Sequence, residues 1–209
     1  MEQNNSQQSE IRTRISNEEL DQLPLRAYEG KVSVITEITQ LTKAFKEIRQ
    51  HDFVGFDTET KPTFKRGQWH PVALMQIATE ERVYLIRNLQ TGITEEVLHF
   101  MEDEMKTKAG IALRDDLYEL KKLKQFKPKG FIDLGTLARG IGIEQQGLKS
   151  LAGIFLGFRI SKSMRVTNWE AKELTEKQII YAATDAWVCL ELYKKLQDKA
   201  DLRKALLNI

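Results

Sequence analysis

Cysteine is almost missing from this sequence of 209 residues, where Cys189 stands alone. A single thiol excludes an intramolecular disulfide and any cysteine-built zinc centre. Histidine is nearly as scarce, and His51, His70 and His99 share no ligand-like spacing, so any bound metal must sit on oxygen. Long apolar runs are lacking, and the polar start MEQNNSQQSE has none of the apolar core of a secretory signal. A cytoplasmic protein without a membrane segment is expected. Charge of one sign is lacking as well: 32 basic residues face 30 acidic ones, a balance with no bulk electrostatic signature for nucleic acid. Local arrangement has to carry the functional signal.

What is present suits one domain. The chain is 41% apolar, enough for a single substantial core, and neither an internal repeat nor a Pro/Gly/Ser-rich linker divides it. Residues 1–20 read as a mobile polar tail and 21–209 as one domain. Short β-rich runs lie at Val32–Ile35, Phe53–Phe56, Val72–Ala78, Val83–Ile86 and Lys108–Ala112, with the polar Thr79–Arg82 suggesting a hairpin. Amphipathic stretches at Glu37–Arg49, Thr94–Glu102, Leu113–Lys124, Leu148–Leu156 and Glu176–Leu196 predict helices. Strands early and helices late predict an α/β fold, a mixed sheet flanked by helices.

The last helix contains a residue that breaks its own pattern. Thr175 and Gln178 form a capping box at its start. At about 100° per residue, Lys177, Thr184, Glu191, Lys194 and Lys195 form a polar face, while Ile179, Ala182, Ala183, Ala186, Cys189, Leu190, Leu192 and Leu196 form the apolar arc. Asp185 falls inside the apolar arc. A carboxylate buried there without a partner costs several kcal/mol or takes up a proton, so a partner is expected. In Leu113–Lys124, Asp116 shares a stripe with Leu113, Leu120 and Leu123, whereas Asp115 points toward Glu119 and Lys122. Asp116 is therefore assigned inward and Asp115 to solvent. Finally, the apolar run Phe53–Phe56 leads into Asp57-Thr58-Glu59, whose alternation sets Asp57 and Glu59 on one side, where they repel unless a proton or cation intervenes.

These residues resemble the motifs of the DEDD-type 3′–5′ exonucleases, Tyr subclass, in the ribonuclease D and Werner-syndrome exonuclease branch of the ribonuclease H-like superfamily. The first motif is Val54-Gly55-Phe56-Asp57-Thr58-Glu59, followed by Lys65-Arg66-Gly67; the second is Lys108 to Asp116; the third is Tyr181-Ala182-Ala183-Thr184-Asp185-Ala186. The resemblance implies a ribonuclease H-like mixed sheet of five or six strands flanked by helices. It implies that Asp57, Glu59, Asp116 and Asp185 bind two divalent cations, Mg²⁺ or Mn²⁺, and that Tyr181 positions the attacking water. The implied reaction releases nucleoside 5′-monophosphates from a 3′ end, with DNA ahead of RNA; the alternative is a catalytically silent nucleic-acid-binding module of the same fold.

Substrate contacts are expected from Thr58, Lys65, Arg66, Tyr118, Lys162 and Arg165. Lys61 and the cluster Lys121, Lys122, Lys124, Lys127 and Lys129 are further candidates for phosphates, and Trp169 is expected to pack rather than stack on a base. Relatives of this kind carry accessory domains or a helicase beyond the region resembled here, so a protein partner supplying specificity is also expected.

Overall fold

A computed structural model describes residues 12–197. Six strands, β1 (Lys31–Ile35), β2 (Phe53–Thr60), β3 (Val72–Ala78), β4 (Arg82–Arg87), β5 (Thr107–Gly110) and β6 (Phe131–Asp133), form one sheet in the order β1-β4-β3-β2-β5-β6. The central hairpins are antiparallel, while β1 on β4, β5 on β2 and β6 on β5 are parallel. The sheet is mixed, as expected. Thr79 closes the β3–β4 hairpin through its amide and hydroxyl, both on the carbonyl of Arg82 at 2.9 and 3.0 Å.

The helices are α1 (Asn17–Gln22), α2 (Ile38–Ile48), α3 (Asn88–Thr91), α4 (Glu95–Glu102), α5 (Leu113–Leu123), α6 (Leu134–Gly140), α7 (Leu148–Leu151) and α8 (Glu176–Gln197). One face of the sheet buries Val54, Phe56, Met75 and Ile77 beneath α2, α4 and α5. The other buries Leu74, Ala78 and Leu85 against Ala182, Ala183, Ala186 and Leu190 of α8. Alternation along β2 thus sends Val54 and Phe56 one way and Phe53, Gly55, Asp57 and Glu59 toward α8. Among the described residues no helix is long and apolar enough to cross a membrane.

Several expectations need correction. The tail expected over 1–20 does not extend that far: residues 1–11 lie outside the described residues, but Ser16 caps α1 in a reciprocal box with Glu19, and Ile15 and Leu20 are buried. A few apolar side chains in a polar stretch suffice to anchor it. Ile15 and Leu20 pack where any Cβ on Gly153 would stand. The helix expected over Leu148–Leu156 is α for one turn and then widens into a π-helical segment, Ala152–Leu156, which ends at Gly157 with φ +71°. The strand expected over Lys108–Ala112 stops at Gly110, because Ala112 adopts left-handed φ/ψ of 55° and 32° to turn the chain into α5. β6 and α3 are too short for periodicity to show them. Thr184, assigned to the polar face of α8, is buried: its hydroxyl accepts from the amide of Tyr28 at 3.0 Å, since the segment before β1 lies across the helix.

Candidate active site

Glycine decides how close α8 comes to the sheet. A Cβ on Gly55 would overlap the carbonyl oxygen of Ala186, so only glycine lets the helix lie directly on β2. Two residues beyond Gly55 is Asp57, and one residue before Ala186 is Asp185. The close approach therefore brings together acids that are 128 residues apart in sequence, from 57 to 185. Asp57, Glu59 and Asp185 each offer an oxygen, all within 4.8 Å of one another.

Asp116 arrives by a second route. The left-handed Ala112 is the only non-glycine residue with positive φ among the described residues, a conformation that costs a side chain about 1–2 kcal/mol. Asp133 steadies the turn, its Oδ2 accepting from the amide of Leu113 at 3.0 Å. The first turn of α5 is thereby laid over the end of β2, where the Thr58 hydroxyl donates to Asp116 Oδ1 at 2.7 Å. Asp116 faces inward; Asp115 stands in solvent beside Arg114, at 3.2 Å, a pairing worth at most a few tenths of a kcal/mol.

Burial acts on every member of the group, and like charge adds to it at Asp57, Glu59 and Asp116. Burial first, then the neighbouring carboxylates of Asp185, Glu59 and Asp116, pushes Asp57 far above the ordinary carboxylate range. The same causes push Glu59 up to about 9, with Arg165 opposing. Burial raises Asp185 to about 7 against hydrogen bonding from Tyr181 and the charge of Lys162, and raises Asp116 to about 6 against its bond from Thr58. Burial and the three nearby acids Asp185, Glu59 and Asp57 hold the Tyr181 phenol well above its ordinary value. At neutral pH it is a donor. Such a set is unstable as four anions and stable around a countercharge. Oxygen-only donors at this spacing suit hard divalent cations, so the residues fit the metals expected for them.

The other candidates divide. Lys162 and Arg165 reach the cluster electrostatically, as just seen. Lys65 and Arg66 are exposed on the loop between β2 and β3. Tyr118 is 62% exposed, with the Lys122 ammonium 4.5 Å from its ring centre and 5.8 Å from that of Trp69. Trp169 is wholly buried beside the Tyr181 ring, at 6.1 Å, and so packs as expected. The Thr58 side chain lies on the opposite face of β2 from Asp57, its hydroxyl engaged by Asp116. Lys61 pairs with Glu170 at 3.2 Å, the same carboxylate that meets His70 Nδ1 at 2.8 Å. Lys122, Lys124 and Lys129 are likewise paired, with Glu119, Glu95 and Glu104.

Sequence reasoning passed over Gly55, Asp133 and Gln76. Gln76 pairs with Asp57 across β2–β3 and is fully buried, with neither side-chain polar atom hydrogen-bonded. A lone amide in the apolar run Val72–Ala78 was the available signal.

A family profile described as 3′–5′ exonuclease matches residues 32–201. The chain is 30% identical over 191 residues to the mouse bifunctional 3′-5′ exonuclease/ATP-dependent helicase WRN, covering 87% of this chain and 14% of that protein. It is 34% identical to an Arabidopsis thaliana 3′-5′ exonuclease, covering 71% and 54%. It therefore spans only part of the length of these relatives. The crystal structure of Escherichia coli RNase D, an exoribonuclease involved in structured RNA processing, superposes with a TM-score of 0.74 at 27% identity, covering 85% of this chain and 49% of that one.

Proposed function

The chain belongs to the 3′–5′ exonuclease family, and we propose that it shortens nucleic acid strands from the 3′ end, one nucleoside 5′-monophosphate at a time. The observation that carries this reading is the convergence of Asp57, Glu59 and Asp185 within 4.8 Å, with Asp116 presented to the same end of β2 by Thr58. Those four carboxylates would hold two divalent ions, Mg²⁺ or Mn²⁺. Bound there, such ions would polarise the phosphodiester, make water nucleophilic near neutral pH and offset charge on the departing oxygen.

The chain's own groups bind, orient and exclude. Tyr181 stays protonated and lies one helical turn before Asp185, so its hydroxyl holds the attacking water in line with the phosphorus. Burial of Glu59 and Asp185 keeps bulk water from competing. Water adds to phosphorus, and the bond to the 3′ oxygen of the preceding nucleotide breaks. The 5′-phosphate leaves with the terminal nucleoside, and the strand keeps a new 3′-hydroxyl. Lys162 and Arg165 bring positive charge to the scissile phosphate, Lys65 and Arg66 meet phosphates from the β2–β3 loop, and Tyr118 stacks on an unpaired base. DNA is taken ahead of RNA, and a protein partner adds specificity.

The test is digestion of matched 5′-labelled DNA and RNA, single-stranded and duplex, with Mg²⁺ or Mn²⁺ and after exhaustive chelation. A ladder that shortens from the 3′ end only when metal is present is expected. Internal cuts would mark an endonuclease, and binding without cleavage a silent module.

A further inference from the structure

Tyr181, which neighbours the carboxylates, also lines a cavity of about 310 Å³. Its floor is one stripe of α8, with Lys177, Ile180, Tyr181 and Thr184 at offsets of three, four and seven residues. One wall comes from the loop before α8, where Ser161, Ser163 and Met164 border it. Lys162, between the two serines, lies near enough to Asp185 to favour its ionised form. The other wall is Arg26 and Ala27, in the strap that precedes β1.

That strap is held in place. The amide of Arg26 donates to the carbonyl of Arg159 at 2.9 Å, the amide of Arg159 donates to the carbonyl of Pro24 at 3.0 Å, and Tyr28 is tied to Thr184 on α8. The strap also lies ahead of the residues matched by the family profile, which begin at 32. Arg26 and Lys177 form no ion pair with any described residue. Two uncommitted cations thus flank a cavity walled by Met164, Ile180 and the Tyr181 ring. Apolar walls suit a flat base, the cations suit phosphates, and the volume suits one nucleotide.

We infer that this cavity is a subsite for the strand upstream of the scissile bond, with Arg26 and Lys177 holding phosphates there. The inference rests on the exonuclease reading. The count of charges sets its direction: the terminal nucleotide brings a single phosphate, the scissile one, and the carboxylate cluster takes it. Phosphates for Arg26 and Lys177 must come from the strand behind. The strap is therefore part of the substrate site.

The experiment uses the full chain and the double variants Arg26→Ala/Lys177→Ala and Arg26→Glu/Lys177→Glu, with melting curves to show that each folds. Fluorescence anisotropy of a labelled single-stranded oligonucleotide in Ca²⁺ reads binding, and the p-nitrophenyl ester of thymidine 5′-monophosphate, which has no upstream nucleotide, reads the cluster alone. For the alanine pair, the slope of log affinity against log salt becomes less negative by about 1.4, two phosphates at roughly 0.7 each. For the glutamate pair, the loss of oligonucleotide hydrolysis exceeds the loss on the ester by about ten-fold or more. An unchanged salt slope, or equal losses on both substrates, overturns the subsite. If the parental chain hydrolyses neither substrate, the exonuclease reading fails, and the salt slope still decides the cavity.

Discussion

Two buried sets of charge sit on opposite faces of the same sheet, and they are built on opposite plans. Lys108, in β5, is fully buried among apolar side chains. Its ammonium donates to the carbonyls of Phe100 and Asp103 at 3.0 and 2.6 Å, at the C-terminus of α4, and lies 4.9 Å from the ring centre of Phe131 and 5.3 Å from that of Phe100. Burial lowers its pKa only to about 8. The helix dipole, two carbonyls and two ring faces satisfy that charge from within the protein. The carboxylates gathered between β2 and α8, Asp57, Glu59 and Asp185, crowd like charge instead, with Tyr181, Lys162 and Arg165 as partial relief. A buried charge completed by its own chain supports the fold; a buried set left incomplete is a place for something from outside.

Four measurements would break or sharpen that contrast. The largest effect is expected at the incomplete site: Asp116→Ala should lower exonuclease turnover by roughly 10³-fold, whereas Asp115→Ala, in solvent on the same helix, should stay within about two-fold. Equal losses would show that helix face does not separate the two acids. Next, Tyr181→Phe should slow the chemical step about 10–100-fold with metal affinity retained, as loss of a group acting beside the ligands does; a parental rate in single-turnover assays would remove the tyrosine from the reaction.

At the completed site the outcome should reverse. Lys108→Met removes the charged donor from the carbonyls of Phe100 and Asp103, so thermal unfolding should show a loss of about 1–3 kcal/mol, or several degrees, with turnover per folded molecule near the parental value. A large fall in turnover would mean that Lys108 serves the reaction.

The smallest effect is a pH trend in the chelated protein. Glu59 rises from an ordinary 4.5 to about 9 on folding. Below the ordinary value both states are protonated and nothing is lost. Between the two values the unfolded chain releases a proton that the folded chain keeps, so stability falls as pH rises and levels off above about 9. Divalent metal should flatten this trend, as should Asp185→Asn, which removes one of the repelling charges. A chelated protein equally stable at pH 5 and pH 9 would contradict the repulsion.

Much of this is legible in the sequence alone. Asp185 in the apolar arc of α8, and Asp116 rather than Asp115 on the inner stripe of α5, follow from counting around a helix, and Asp57 with Glu59 from counting along a strand. The capping box at Thr175 and Gln178 is present, at 3.0 and 3.3 Å. Other features were hidden because they depend on neighbours distant in sequence. The bond from Thr58 to Asp116 depends on α5 lying over β2, the pairing of Lys61 on Glu170 reaching it, and the burial of Thr184 on Tyr28 crossing it.

Periodicity is a local property, and it sufficed to say which side chains point inward and that inward carboxylates need a counterpart. Distance is not local. Whether those carboxylates meet depends on glycine at 55 admitting α8 to the sheet and on the left-handed turn at Ala112, held by Asp133, which aims α5. The sequence by itself determined the chemistry of the donor set, because charge and facing are written residue by residue. Only the tertiary structure decided their convergence and the cavity beyond Tyr181, because both are made by backbones packing against one another across the whole chain.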